Sequence, residues 1–587
     1  MPLPAWATKM RDLFRSGSVA QFLLHGNVFD VIPHGDRQLS LKAFLDEAMF
    51  GAYDTVLQYD RSRGVRATRG ADDWGAWLQQ ALGDANPISS TREPGVALEL
   101  IDRYLLRTLN LAAIQRGPDA AGSGAANAAR KVAVIVDFAE FVVPRADAAQ
   151  LGGPFAANVV KVLGWANDPA ILQANIITVL IAESVHDLNG LIAENPHAAE
   201  IKLPLPDESE MAAYVDSLAA GTGLIPDLAQ RSDLPLATLG QRLTGLSRVG
   251  ARRLVTMATR SGQRLTVDWV SKIKKDLIES ECQGLLDFIE STLTLDDMAG
   301  SDPVKTWLRE DQKLLEKGAL HALPMGYLVA GRIGTGKTYL VQCWAGELGI
   351  PCVVFKNFRD RWVGATESNL EKIFSVLKAI GQVLVFVDEA DQAAGKREGG
   401  DTDGGLSGRV YAMLAKEMSD TRNRGRILWV FATSRPDLLE VDLKRQGRLD
   451  VHIPLFAPET PDEMRALFRA IARKLKFPLE DADLPALDPS QGLGSNEIEG
   501  VLVRALRVWE LAPDATDGAP KPPLRDILAG VLREVRPSAH TRKLEYMDLV
   551  AVKECTDQRF LPPRFRELTP EQIETRLTEL RRFVAGG

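Results

Sequence analysis

The run Gly331-Arg332-Ile333-Gly334-Thr335-Gly336-Lys337-Thr338 constrains this chain more than any other feature. It is a complete G-x-x-x-x-G-K-T phosphate loop. The apolar run Tyr327-Leu328-Val329-Ala330 precedes it, and a helical pattern begins at Tyr339. Such a loop has meaning only between a strand and a helix, and both flanks read that way. Its glycines let successive backbone N–H groups turn inward around an anion with no Cβ in the way. Gly331, Arg332, Ile333, Gly334, Thr335, Gly336, Lys337, Thr338 and Tyr339 are therefore the expected nucleotide cradle. Lys337 is expected to reach the β- and γ-phosphates, and the Thr338 hydroxyl to bind Mg2+. The loop predicts a chain that binds ATP or GTP.

At 587 residues the chain has room for about four compact units. Its hydrophobic fraction of 45% and charged fraction of 25% are those of a globular protein with a large core. A net charge of -8 argues against a general nucleic-acid binder, which carries a basic domain or stripe. Cys282, Cys343, Cys352 and Cys555 form no C-x-x-C pair and no metal-ligand spacing with the histidines, so they read as free thiols in a reducing compartment. No apolar run reaches membrane-spanning length, and Met1-Pro2-Leu3-Pro4-Ala5-Trp6 does not open a signal peptide. Cytoplasmic placement is the expectation.

The two halves of the chain echo each other. In the second half the apolar run 383–387 is followed by Asp388-Glu389; in the first, 132–136 is followed by Asp137-Phe138. The next buried runs, 427–432 and 176–182, lead to Ser434 and Ser184, at nearly equal separation from the two aspartates. Then come Val451-His452-Ile453-Pro454 and Ile201-Lys202-Leu203-Pro204. The shared order predicts two copies of one α/β fold. The first copy has lost its chemistry: Phe22-Leu23-Leu24 leads into His25-Gly26-Asn27 without Gly-Lys-Thr, and Phe138 stands in the glutamate position. Glycine-rich or small-residue stretches at 117–129, 395–405 and 513–523 read as loops, and 267–292 as a helix joining the halves.

The apolar run 383–387 reads as a central parallel strand that delivers Asp388 and Glu389 to its carboxyl end, where open α/β sheets bind ligands. Asp388 is expected to support Mg2+, and Glu389 to orient and polarise the attacking water. From Leu295 to about Asp557 the chain resembles the AAA clade of the AAA+ ATPases. Leu295-Asp296-Asp297-Met298-Ala299-Gly300, with Lys305 and Leu308, looks like the opening segment of that family. Phe431-Ala432-Thr433-Ser434-Arg435-Pro436-Asp437-Leu438 and Leu443-Lys444-Arg445-Gln446-Gly447-Arg448-Leu449-Asp450 look like its second region of homology. The first half resembles a degenerate AAA+ module.

The resemblance implies a P-loop NTPase (AAA+) α/β fold, with a parallel sheet and an α-helical lid, preceded by a second, degenerate AAA+-like α/β module. It divides the chain into that module over 1–265, a linker helix over 266–294, the ATPase core over 295–457, and a helical lid with a C-terminal segment over 458–587. It gives Arg445 and Arg448 the arginine-finger role in a neighbouring subunit's site and Ser434 the sensor role, where asparagine is usual. In the first half, Asn195 and Ala198 align with the fingers. Trp362-Val363-Gly364 resembles the first pore loop of katanin and spastin, and 395–408 would supply a second, mobile one. Together these imply an ATPase that needs ATP and Mg2+, a homo-oligomer forming a hexameric ring, and a protein client or adaptor as partner. An ATP-dependent assembly switch that does not thread clients is the alternative.

Overall fold

A computed structural model describes residues 3–83, 90–116, 130–145, 154–220, 224–225, 227–282, 286–355, 366–391, 406–512, 522–535 and 540–584. The chain divides into two compact units, Met1–Ile278 with Gly364–Ala379, and Glu279–Val363 with Ile380–Gly587.

In the first unit the strands are β1 (Gln21–Gly26), β2 (Val31–His34), β3 (Arg37–Ser40), β4 (Thr55–Asp60), β5 (Gly64–Arg69), β6 (Val132–Val136), β7 (Ile176–Ile181) and β8 (Ala198–Leu203). Six of them form one sheet in the order β5-β4-β6-β7-β1-β8, while β2 and β3 pair as a separate hairpin. All neighbours in the sheet are parallel except β4 and β5. The apolar runs are continuous because both faces are covered: Val132, Val134 and Val136 join one core cluster, Ala133 and Ile135 the other. Helices Glu208–Ala219, Leu236–Leu243 and Arg248–Arg260 follow the sheet.

The helix expected over 267–292 stops at Glu281, and Leu286–Phe288 is a strand, β9. It pairs antiparallel with β11 (Cys352–Phe355). A sheet edge open to main-chain pairing outweighs the helical periodicity there. The remaining strands are β10 (Gly326–Ala330), β12 (Val383–Val387), β13 (Ile427–Thr433) and β14 (Val451–Pro454), and the sheet order is β14-β10-β13-β12-β11-β9.

The two sheets share one topology. The opening strand lies between the fourth and fifth, the third lies between the second and fourth, and an antiparallel strand edges the second. The duplication expected from sequence echoes is therefore present in the strand order itself. Only the edge strand differs in origin, since β5 follows β4 in a hairpin whereas β9 precedes its whole sheet.

After β14, helices Pro461–Lys474, Ser495–Leu511 and Leu524–Glu534 close on their own core around Phe468, Ile498 and Leu528. The C-terminal helices Thr541–Glu554, Pro563–Arg566 and Pro570–Val584 form another cluster, onto which Phe456 packs. Thr556 Oγ1 accepts from the His452 N–H at 2.9 Å, so this segment is tied to the edge of β14. Among the described residues no helix is long and apolar enough to cross a membrane. Trp362, Val363 and Gly364 lie outside the described residues, as do the loop stretches 117–129, 395–405 and 513–521. Helix Leu406–Met418 begins inside the stretch expected as a second pore loop. Cys282, Cys343 and Cys352 are buried, and Cys555 is half-buried.

Candidate nucleotide site

β10 runs directly into the phosphate loop. Gly331 has φ 154°, and a Cβ there would lie 2.3 Å from the Leu455 carbonyl oxygen, so only glycine fits. Helix Lys337–Leu348 starts at once after Gly336, with no acidic residue in its first turn. Its N-terminal N–H groups and dipole therefore favour an anion at the loop.

Lys337 Nζ donates to the carbonyls of Gly331 at 2.8 Å and Arg332 at 3.0 Å, and to Ser434 Oγ at 3.0 Å. Burial pushes its pKa down to about 8, against the opposing pull of Asp388, Asp391, Asp548 and Glu389. Thr338 Oγ1 donates to Asp388 Oδ2 at 2.8 Å. Two hard oxygen donors side by side at a phosphate loop suit Mg2+. At the end of β12 the chain turns through Glu389, a left-handed residue with φ 47°, whose N–H bonds Asp388 Oδ1 at 2.9 Å. Ser434 is steadied from behind: Thr433 Oγ1 donates to Asp391 at 2.6 Å and accepts from the Arg435 N–H at 2.9 Å.

Lys337, Thr338, Asp388, Glu389 and Ser434 line one cavity of about 910 Å³, large enough to enclose a nucleotide. Its walls include Ile333 to Tyr339, Asp388, Glu389 and Ser434, but neither Gly331 nor Arg332. Met298 and Gly300 from the opening segment form part of it, as do Leu467, Ile471 and Lys474 from the lid and Phe560 and Arg564 from the C-terminal segment. The sequence did not mark these lid and C-terminal residues, because their apolar spacing is that of any packed helix. Ser495 ties lid to loop, its N–H and Oγ both donating to the Gly334 carbonyl at 2.8 Å.

The two arginines lie apart from this cavity in their own chain. Arg445 has a side chain 63% exposed, with Asp442 at 3.3 Å. Arg448 is 9% exposed and holds the Asp442 carboxylate. Its guanidinium also donates to Ser419 Oγ and the Asp442 carbonyl, both at 2.7 Å.

The corresponding edge of the first unit keeps the backbone and not the chemistry. Gly26 (φ 91°) is crowded by the Leu203 carbonyl, 2.7 Å from where a Cβ would stand, as Gly331 is by Leu455. Phe138 repeats the left-handed turn of Glu389 with φ 53°, and its N–H bonds Asp137 Oδ1 at 3.2 Å. Asp137 is held by Lys42 in an ion pair, and Phe29 packs on Phe138 with ring centroids 5.9 Å apart. Matching Leu203 to Leu455 shifts the sequence alignment by two residues. Ala193 and Pro196, rather than Asn195 and Ala198, then answer to Arg445 and Arg448, and no arginine stands in either register.

Comparison with known proteins agrees with this architecture. Residues 1–204 match the AAA+ chaperone N-terminal Rossmann-like domain, 212–283 the AAA+ chaperone second helical domain, and 327–456 the ATPase family associated with various cellular activities. The chain is 32% identical over 231 residues to the ATP-dependent zinc metalloprotease FtsH 2 of Salinibacter ruber (strain M8), covering 38% of this chain and 33% of the relative. It is 30% identical over 315 residues to FtsH 3 of Symbiobacterium thermophilum, covering 51% and 48%. It is 26% identical over 302 residues to the peroxisomal ATPase PEX6 of Candida glabrata, covering 46% and 30%. In each case the match spans less than half of the relative's own length.

Proposed function

The chain belongs to the AAA+ ATPases, and from that premise we propose that it hydrolyses ATP to remodel protein clients as a ring. The supporting observation is the convergence of Lys337, Thr338, Asp388, Glu389 and Ser434 on one cavity. Lys337 leaves its perch on the loop carbonyls for the β- and γ-phosphates. Glu389 orients the attacking water and draws on its proton, and the Ser434 hydroxyl bonds the water or the γ-phosphate. Thr338 and Asp388 would hold Mg2+, which would neutralise charge on the phosphates. Arg445, exposed on its own subunit, is the finger offered to a neighbour's γ-phosphate, and Arg448 braces the turn that carries it. Fingers acting between subunits call for a closed ring, six-membered in this family. Trp362, Val363 and Gly364 grip an extended client. The first unit recruits clients or braces the ring.

One observation favours the alternative, an ATP-driven assembly switch. The Ser434 hydroxyl is already engaged by Lys337 at 3.0 Å and reaches less far than asparagine, which fits slow turnover.

The test compares ATP binding, phosphate release and ATP-dependent capture of an unstructured model polypeptide. Glu389→Gln keeps binding, loses turnover by about 100-fold or more, and traps the polypeptide. Adding Trp362→Ala abolishes the trapping. Tight ATP binding by Lys337→Ala would refute the phosphate-loop role, and wild-type turnover in Glu389→Gln would refute that of Glu389. Equal trapping with and without Trp362 would select the switch.

A further inference from the structure

Arg332 occupies a variable position of the phosphate loop, yet its side chain is only 12% exposed and turns away from the nucleotide cavity. Its Nη2 donates to the Gly492 carbonyl of the lid at 2.7 Å, and its Nη1 lies 3.7 Å from Asp548 Oδ2 on the C-terminal helix Thr541–Glu554. Asp548 is itself 9% exposed, set among buried Tyr546, Met547, Leu549 and Val550. Among the described residues its Oδ1 has no hydrogen-bond partner. A carboxylate in such a place is costly unless paired with a cation, and among the described residues Arg332 is the cation in ion-pair range of it. Meanwhile the Arg332 carbonyl carries the Lys337 ammonium at 3.0 Å. One residue thus joins the lysine's perch, the lid and the C-terminal segment.

We propose that Arg332 is a positioning residue of the ATP site, latched to the lid and, through Asp548, to the C-terminal segment, so that nucleotide affinity depends on the Arg332–Asp548 pair. The C-terminal segment then acts as a regulatory element, since whatever lifts it from the ATPase core loosens the phosphate loop. This rests on the reading of the loop as the ATP site.

The experiment is a double-mutant cycle on ATP affinity in the full chain, with Arg332→Met, Asp548→Met and the pair, each checked by its melting temperature. Each single change is expected to weaken ATP at least tenfold, and the pair no more than the worse single change, because neither charge is then orphaned. A pH series supplies a readout that loss of packing would not move. Burial holds the Asp548 carboxyl up at about 6, among Arg332, Arg564, Glu459 and Glu545. Acidification through 6 should therefore release the latch in wild type and leave Asp548→Asn unaffected. Singles within twofold of wild type, or effects that multiply in the pair, would overturn the latch alone. Wild-type protein that binds no ATP would overturn both this and the function it rests on.

Discussion

Raising the pH from 7.5 to 9 should weaken ATP binding about eightfold, and Lys337 should be the reason. Its ammonium is buried and its pKa is brought down to about 8 in the free site. Phosphate oxygens restore the charged form when nucleotide binds, so the bound pKa is higher than the free one. Binding therefore takes up a proton wherever the free lysine is neutral, and affinity falls as pH rises through 8. The charged fraction at a pKa of 8 drops from about 0.76 at pH 7.5 to about 0.09 at pH 9, a ratio near eight. Below pH 7 the lysine is charged in both states, so its own contribution to the dependence vanishes on that side. The thiols of Cys343, Cys352 and Cys555 are pushed up by burial to about 11, 12 and 11, which takes them out of this window. Titration calorimetry with Mg2+ in excess, in buffers of different ionisation heat, reads affinity and proton uptake together. Uptake should approach one proton per ATP at pH 9. Lys337→Arg, if it binds, should show neither effect. Constant affinity with no proton uptake in wild type would refute the desolvated-lysine argument.

Arg445→Ala should stay within about 0.5 kcal/mol of wild-type stability, since its side chain is mostly exposed, yet lose turnover by about 10³-fold. Unchanged phosphate release would remove it from the finger role. Arg448→Ala should lower the melting temperature instead, because it strips partners from Ser419 and Asp442 at once. Gly331→Ala should lose ATP binding and stability together, since its Cβ would meet the Leu455 carbonyl at 2.3 Å; a normally stable, ATP-binding variant would show that the β10–β14 contact yields.

The sequence made legible what depends on local order. The strand–loop–helix around Lys337, the apolar strands that deliver Asp388 and Ser434, and the repeat of those strands in the first half all stand where the patterns put them. It hid what depends on pairing at a distance. Nothing in the composition of 282–292 distinguishes an edge strand from a helix end; the open side of β11 makes the difference. Nor does spacing reveal that Arg332 and Asp548 meet across more than two hundred residues. A signal was present there, however, in a single aspartate inside the apolar run Tyr546-Met547-Asp548-Leu549-Val550. A charge in such a run implies a buried partner, though it does not name one.

What the first unit kept and lost separates the demands of the fold from those of catalysis. Gly26 and Gly331 are each crowded by a main-chain carbonyl, that of Leu203 at the end of β8 and that of Leu455 just beyond β14. The left-handed turn persists at Phe138 and Glu389, each with its N–H on the preceding aspartate. The residue type at that turn changed while the strained backbone did not. The turn is thus required by the geometry of the strand end, and Glu389 exploits a conformation that exists without it. The aspartate tells the same story from the other side. In the second unit Asp388 faces Thr338 at a site suited to a cation, whereas in the first Asp137 has taken Lys42 as its own. With Lys42 in that place, the Asp137 carboxylate is already neutralised by its own chain.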